Sequence, residues 1–380
     1  MEYRAKMIAV LLLSAAVANG TESTTQPAGV GAISPSAAVQ DEKTGMLWYD
    51  AKLLTIEGKG WAETEEFYDR LPPHAQGKVP EHVWNLSKRS AGLAVRFITN
   101  SPRIRARWKV GSNLAMPHMP ATGVSGLDLY VRWRGKWRWA GMGKPTSENN
   151  EAMLVDSAAD GRHEYLLYLP LYNKTLSLQI GIPSGYVLTN PGPRAAKPIC
   201  VYGTSIVQGG CASRPGLAHV AILGRKLDMP TINLGFSGSG KMEPEMAKLL
   251  AELDVSAYVL DCLPNMTVEM VRERFEPFVQ TLRQARPETP IVLVEHVPHG
   301  GEAFLPGRRT NVERMNRTLR LIHRDLQAKG VTGLSYVPYD QLLGTDGEGT
   351  VDGVHPNDIG FLRFADAMEP TLRQVVGAGG

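Results

Sequence analysis

The 380 residues carry 41 Lys and Arg against 38 Asp and Glu, a formal net charge of +3, and 43% of them are hydrophobic. That content supports real cores and excludes a disordered chain, and so even a charge balance gives no reason to expect a nucleic-acid partner. Cys200, Cys211 and Cys262 form no C-x-x-C pair, so a cysteine metal site is not expected, and an export route would permit a disulfide without requiring one.

Arg4 and Lys6 precede the apolar run Met7 to Val17, and Ala16-Val17-Ala18 fits the small-residue cleavage pattern. Residues 1–18 are therefore expected to be an export signal cut after Ala18, which places the protein in the periplasm or outside the cell. The run is short for a bilayer span, and a retained interfacial anchor is the alternative. No later segment is apolar enough to cross a membrane. Residues 19–42, rich in Ser, Thr, Ala, Gly and Pro, are expected to be a disordered leader.

From residue 43 to 194 the pattern has period two. Ile104, Ala106 and Trp108 alternate with Arg103, Arg105, Arg107 and Lys109. Leu127, Leu129, Val131 and Trp133 alternate with Asp128, Tyr130, Arg132 and Arg134, and Leu176, Leu178 and Ile180 repeat the pattern. Such alternation marks strands with one buried face. Arg134-Gly135-Lys136 between two runs suggests a hairpin turn. All seven Trp residues lie in this half. The expected architecture is a β-sandwich of jelly-roll type.

Asn190-Pro191-Gly192-Pro193 breaks regular structure and marks a domain boundary, with the second domain expected over 195–380. Here the apolar runs Ile199–Tyr202, Thr231–Leu234, Ala257–Leu260, Ile291–Val294 and Leu334–Val337 alternate with amphipathic segments. One segment puts Val312, Met315, Leu319, Ile322 and Leu326 on a single face. The last puts Leu362, Ala365, Met368, Leu372 and Val375 on one face. Five strands alternating with helices predict a parallel sheet covered on both sides.

In such a sheet, ligands bind beyond the carboxyl ends of the strands. Four polar clusters fall there. Gly203-Thr204-Ser205 follows the first strand; glycine permits a sharp turn that leaves Ser205 at the sheet mouth, where a hydroxyl needs a nearby base to become a nucleophile. Gly235-Phe236-Ser237-Gly238-Ser239-Gly240-Lys241-Met242 approaches the phosphate-loop pattern, but Met242 stands where a magnesium-binding hydroxyl is needed, and Glu243 breaks the dinucleotide pattern. Its glycines can still present backbone N–H groups to an anion. Asp261-Cys262-Leu263-Pro264-Asn265 offers an amide at a strand end that can donate to developing negative charge. In Val351-Asp352-Gly353-Val354-His355-Pro356-Asn357 an Asp three residues before a His can fix the imidazole tautomer, and Asn357 or Asp358 can cap the following helix. Each cluster alone also reads as an ordinary turn or helix cap.

Together these blocks resemble the SGNH, or GDSL-like, hydrolases, named for a Ser, a Gly, an Asn and a His in separated blocks. Ser205, Gly238, Asn265 and the Asp352/His355 pair match them, over residues 197–376. The resemblance implies a flavodoxin-like three-layer α/β/α domain. Gly126-Leu127-Asp128-Leu129-Tyr130 resembles the GxDLY-type β domain that precedes some bacterial SGNH esterases. Two departures bear on the pocket: Thr204 replaces the usual Asp before the nucleophile, and Leu263 and Met266 flank Asn265.

The resemblance implies a serine esterase. Ser205 would attack, His355 would move its proton, Asp352 would orient His355, and the N–H groups of Ser205 and Gly238 with the Asn265 amide would form the oxyanion hole. The expected substrate is a small-molecule or glycan ester bearing a small acyl group such as acetyl, with no cofactor or metal. Alternatives are an acyltransferase with the same triad and an inactive glycan-binding protein. An α/β-hydrolase is disfavoured because Val207 stands where its G-x-S-x-G elbow needs glycine. A metal hydrolase would have to use His296 and His299, an H-x-x-H pair interrupted by Pro298 with no H-E-x-x-H.

Overall fold

A computed structural model describes residues 30–111, 113–302 and 304–377. The expected export signal and the first part of the leader lie outside these residues.

The first half contains the strands β1 (Gly31–Ala32), β2 (Val39–Asp41), β3 (Met46–Asp50), β4 (Thr55–Glu57), β5 (Ala94–Thr99), β6 (Ile104–Val110), β7 (Leu127–Trp133), β8 (Lys136–Gly143), β9 (Asn149–Val155), β10 (His163–Tyr168), β11 (Thr175–Pro183) and β12 (Leu188–Asn190). Two short helices, α1 (Glu81–Ser87) and α2 (Ala121–Val124), interrupt them. One antiparallel sheet runs β1-β12-β5-β10-β7-β8, with β4 also on β5; the other runs β2-β3-β11-β6-β9. Tyr49, Phe97, Ile104, Trp108, Leu129, Leu167 and Ile180 meet in one core between the sheets.

The alternation on β6 is as expected, with Ile104, Ala106, Trp108 and Val110 buried and the basic residues between them not. β7 and β8 are joined by Arg134-Gly135, both left-handed (φ 50° and 77°), the conformation a two-residue hairpin turn favours. On β11 a bulge between Thr175 and Ser177 shifts the register, so Leu176 faces solvent instead of the core.

The leader is a correction. β1 pairs with β12 and β2 with β3, so Gly31–Ala32 and Val39–Asp41 are edge strands of the sandwich, joined through the 3-10 turn Pro35–Ala37, and not disordered chain. A short edge strand needs one hydrogen-bond ladder and little apolar burial, so its composition does not announce it.

In the second half all five expected strands form: β13 (Ile199–Gly203), β14 (Thr231–Gly235), β15 (Ala257–Asp261), β16 (Ile291–Val294) and β17 (Leu334–Val337). They are parallel in the order β14-β13-β15-β16-β17. Strand order reverses between β13 and β15, which opens a crevice at their carboxyl ends. After β13 come α3 (Ser205–Gln208) and α4 (His219–Leu227). Then follow α5 (Pro244–Glu252), α6 (Val268–Ala285), α7 (Pro306–Ala328) and α8 (Asp358–Val375). Side chains of α5, α6 and α7 pack on one face of the sheet, and those of α4 and α8 on the other. The buried stripe of α8 holds at Ala365, Met368 and Leu372 and departs from expectation at its start. Phe361 and Phe364 are buried with Ala365, Met368 and Leu372, while Leu362 is exposed. The two rings take the sheet-facing positions by stacking against His219, centroids 5.7 and 4.4 Å away.

The GxDLY stretch joins the halves. A Cβ on Gly126 would lie 2.4 Å from the Thr122 carbonyl oxygen, so glycine is required. Leu127 and Leu129 enter the sandwich core. Asp128 and Tyr130, expected on a polar outer face, are buried instead against the second half. The Asp128 carboxylate accepts from Arg214 Nη1 and the Gly216 N–H, and the Arg225 guanidinium lies 3.8 Å from the Tyr130 ring centroid.

Candidate active site

β13 ends at Gly203, where a Cβ would come 2.1 Å from the Asp261 carbonyl oxygen and 2.5 Å from Val207 Cγ2. Only glycine lets the chain turn there. Thr204 then caps α3, its hydroxyl accepting the Ile206 N–H at 3.3 Å, and Ser205 opens the helix. The departure from Asp at position 204 thus keeps a capping oxygen.

The imidazole that faces Ser205 comes from the loop before α8. Asp352 accepts the backbone N–H groups of Val354 and His355 at 3.0 and 2.8 Å, and the Val351 N–H returns to the His355 carbonyl at 2.9 Å. Asn357 caps α8 through the Gly360 N–H. This tight loop turns His355 so that Nδ1 lies 2.8 Å from Asp352 Oδ2 and Nε2 lies 2.9 Å from Ser205 Oγ. Burial pushes the Asp352 carboxyl up, but hydrogen bonds from the His355 backbone and ring and from Val354 outweigh it and hold the pKa at about 2. An ionised Asp352 accepts the proton on Nδ1, which leaves Nε2 as an acceptor facing the serine.

Gly238 (φ 72°) lies in the loop after β14. That loop is seated on the nucleophile turn: the Ser237 N–H donates to Gln208 Oε1 at 2.9 Å, and a Cβ on Gly240 would lie 2.1 Å from the Gly203 carbonyl oxygen. Gly240 thus permits close packing, while Gly238 is called for by its positive φ. Among the described residues, neither the Ser205 nor the Gly238 N–H has a hydrogen-bond acceptor. Asn265 ends a short 3-10 turn, Leu263–Asn265, after β15, and its Nδ2 donates to the Ser239 carbonyl at 2.7 Å. The second and third blocks are therefore tied together, and one amide hydrogen of Asn265 remains for another acceptor.

Three residues at the site carry no signal in the sequence. His118 reaches in from the sandwich domain, its ring centroid 5.8 Å from that of His355. Cys211 follows α3 in a left-handed conformation (φ 74°). Burial and then the Asp352 charge push its thiol up to about 12. One donor atom each of His118, Cys211, Asp352 and His355 lie within 4.8 Å of one another. Two imidazoles, a thiol and a carboxylate suit zinc among common metals. Asp261, at the end of β15, is wholly buried; neither carboxylate oxygen has a partner among the described residues, and burial raises its pKa to about 7.

The H-x-x-H pair forms no such group among the described residues. His296 is buried, its Nδ1 2.6 Å from the Val297 carbonyl oxygen. His299 lines a separate cavity of about 410 Å³ that reaches the catalytic loop only at Gly349 and Thr350. The tryptophans do not line the site either. Trp48, Trp84 and Trp108 are buried, and Trp61, Trp137 and Trp139 donate to Glu252, Asp228 and Asp128.

Residues 196–373 match the GDSL-like lipase/acylhydrolase family, and residues 46–188 match the GxDLY domain found at the N-terminus of SGNH-hydrolase-type esterases. Fold, site and matches define a carboxylic ester hydrolase. The chain is 40% identical to a Bacteroides ovatus protein described as a GDSL-like lipase, covering 87% of this chain and 98% of that one with a TM-score of 0.83. It belongs to the GDSL-like lipase/acylhydrolase family. Two more distant structures share the fold. One is the salicylyl-acyltransferase SsfX3 of a tetracycline biosynthetic pathway (19% identity, 89% and 96% coverage, TM-score 0.67). The other is a family two carbohydrate esterase from Clostridium thermocellum (14% identity, 76% and 93% coverage, TM-score 0.57). No curated protein matches the chain.

Proposed function

We propose that this chain is an exported serine esterase that removes small acyl groups, acetyl among them, from carbohydrate. The observation that carries the reading is the pair of contacts from His355, 2.9 Å to Ser205 Oγ and 2.8 Å to Asp352. Ser205 Oγ attacks the ester carbonyl as His355 Nε2 takes its proton, and the resulting imidazolium is held by Asp352. The carbonyl oxygen, now negative, is received by the N–H groups of Ser205 and Gly238 and by the Asn265 amide. His355 returns the proton to the departing alcohol, and water repeats the sequence to release the acid. A glycan substrate is supported by the shared fold with a carbohydrate esterase. Export is supported by residues 1–18, and no helix among the described residues is long and apolar enough to cross a membrane. The two-sheet domain, which we read as jelly-roll-like, contributes to the cleft through His118.

A second reading, transfer of the acyl group to an acceptor alcohol, is favoured by the fold shared with an acyltransferase over 89% of the chain. Product analysis with and without acceptor separates the two. Ser205→Ala should lower kcat on an acetylated sugar by about 10⁶. Near-parental turnover by that variant would remove Ser205 as nucleophile.

A further inference from the structure

Beside the triad, on the side of the sandwich domain, lies a cavity of about 430 Å³ lined by Asn85, Arg89, Asn113, Met116, Tyr172 and Lys174 among others. No residue of the Ser205, His355 and Asp352 set lines it; it approaches them through Tyr172 and Pro117. The Tyr172 hydroxyl donates to the Ser205 carbonyl oxygen at 3.3 Å. Gly210 is wedged between Tyr172 and His355, since a Cβ there would lie 2.8 Å from the tyrosine hydroxyl and 3.2 Å from His355 Cδ2. Met116 and Pro117, on the cavity wall, lead directly into His118.

The cavity is basic. No Asp or Glu lines it. Arg89 is half-buried, and burial depresses its pKa, yet no carboxylate among the described residues pairs with it. Its neighbour is the Tyr172 ring, 5.4 Å from the guanidinium carbon to the centroid. Several other shielded basic groups are compensated. Lys88 pairs with Glu65 and Asp69, Arg96 with Glu57 and Glu164, and Arg214 with Asp128. Buried Arg70, next to Arg89, donates to the carbonyls of Leu86, Arg89, Asn233 and Gly235. A partly desolvated cation without a counter-charge is costly, and an incoming anion would offset that cost. Lys174, exposed on the rim, also has no ion pair among the described residues and adds to the positive field.

We propose that this cavity holds the alcohol side of the ester and selects a carboxylate-bearing sugar, such as an acetylated uronic acid, whose carboxylate pairs with Arg89. This rests on the esterase reading above and narrows its substrate class. The full chain is assayed on p-nitrophenyl acetate, which has no anionic group to place, and on a matched pair, acetylated methyl galacturonide and acetylated methyl galactoside. The parent should favour the galacturonide by about tenfold or more in kcat/KM, a preference that salt reduces. Arg89→Gln should abolish the preference through KM and keep p-nitrophenyl acetate turnover; Lys174→Gln, a surface change, should weaken it less. Equal kcat/KM for the two sugars in the parent, or a preference untouched in both variants, overturns the subsite while leaving the esterase intact. Failure to hydrolyse p-nitrophenyl acetate at all overturns the esterase reading itself.

Discussion

The carboxylate of Asp128, on a strand of the sandwich, accepts Arg214 Nη1 at 2.8 and 2.9 Å across the boundary between the halves. Arg214 stands on the segment that follows the nucleophile helix, and its neighbour Ser213 donates to Asp358 at the start of α8. One ion pair therefore steadies the two elements that carry Ser205 and His355. Asp128 is wholly buried, so Arg214→Ala would leave its charge with the Gly216 N–H and Trp139 Nε1 but without a paired cation. The expected cost is about 3–5 kcal/mol, read from the denaturant midpoint, with kcat falling alongside. A change below 1 kcal/mol, about the scale of a surface pair, would deny the clamp its role.

Asn265 is expected to serve the transition state more than the fold. Asn265→Ala loses the bond to the Ser239 carbonyl, about 1 kcal/mol of stability. Its kcat should fall by about 10²–10³ with KM little changed. If kinetics instead show KM rising at constant kcat, the amide binds ground state and the oxyanion assignment fails.

Asp261 links stability to pH. Its pKa is raised from the ordinary 3.8 to about 7 by burial, so the folded chain keeps a proton that the unfolded chain releases. Its stabilising effect is complete below pH 3.8 and is lost as pH rises toward 7, by about 4 kcal/mol in all. Asp261→Asn should therefore flatten that part of the Tm profile and raise Tm at pH 8. Parallel profiles for parent and variant would show that Asp261 ionises freely in the fold.

Added zinc is expected to inhibit through the donor group at the site. Metal held by His118, Cys211, Asp352 and His355 would occupy the base, and a chelator should restore activity. Cys211→Ala and His118→Ala should keep activity yet need about tenfold more zinc for half-inhibition. Identical zinc titrations for the three proteins would assign inhibition to the triad alone.

The sheet and the blocks at its edge were legible because fully buried parallel strands read as unbroken apolar runs, and the side chains after them follow from topology. The Asp352/His355 spacing was equally readable, since three residues suffice to close the loop that joins them. His118 was not, because its partner is 237 positions away on another domain, by subtraction from His355, and nothing local distinguishes it. Asp128 looked like an outward polar residue because alternation names two faces but not what covers the second. On α8 the expected Ala365, Met368 and Leu372 are buried, but Leu362 is not, because Phe361 and Phe364 take the inward positions where they stack on His219, a contact between helices that spacing does not announce.

His355 stands 150 positions after Ser205, the residue whose hydroxyl it contacts. During synthesis the Ser205 hydroxyl is made long before that imidazole, so a chain that stops short of His355 lacks the contact on which the proposed chemistry rests.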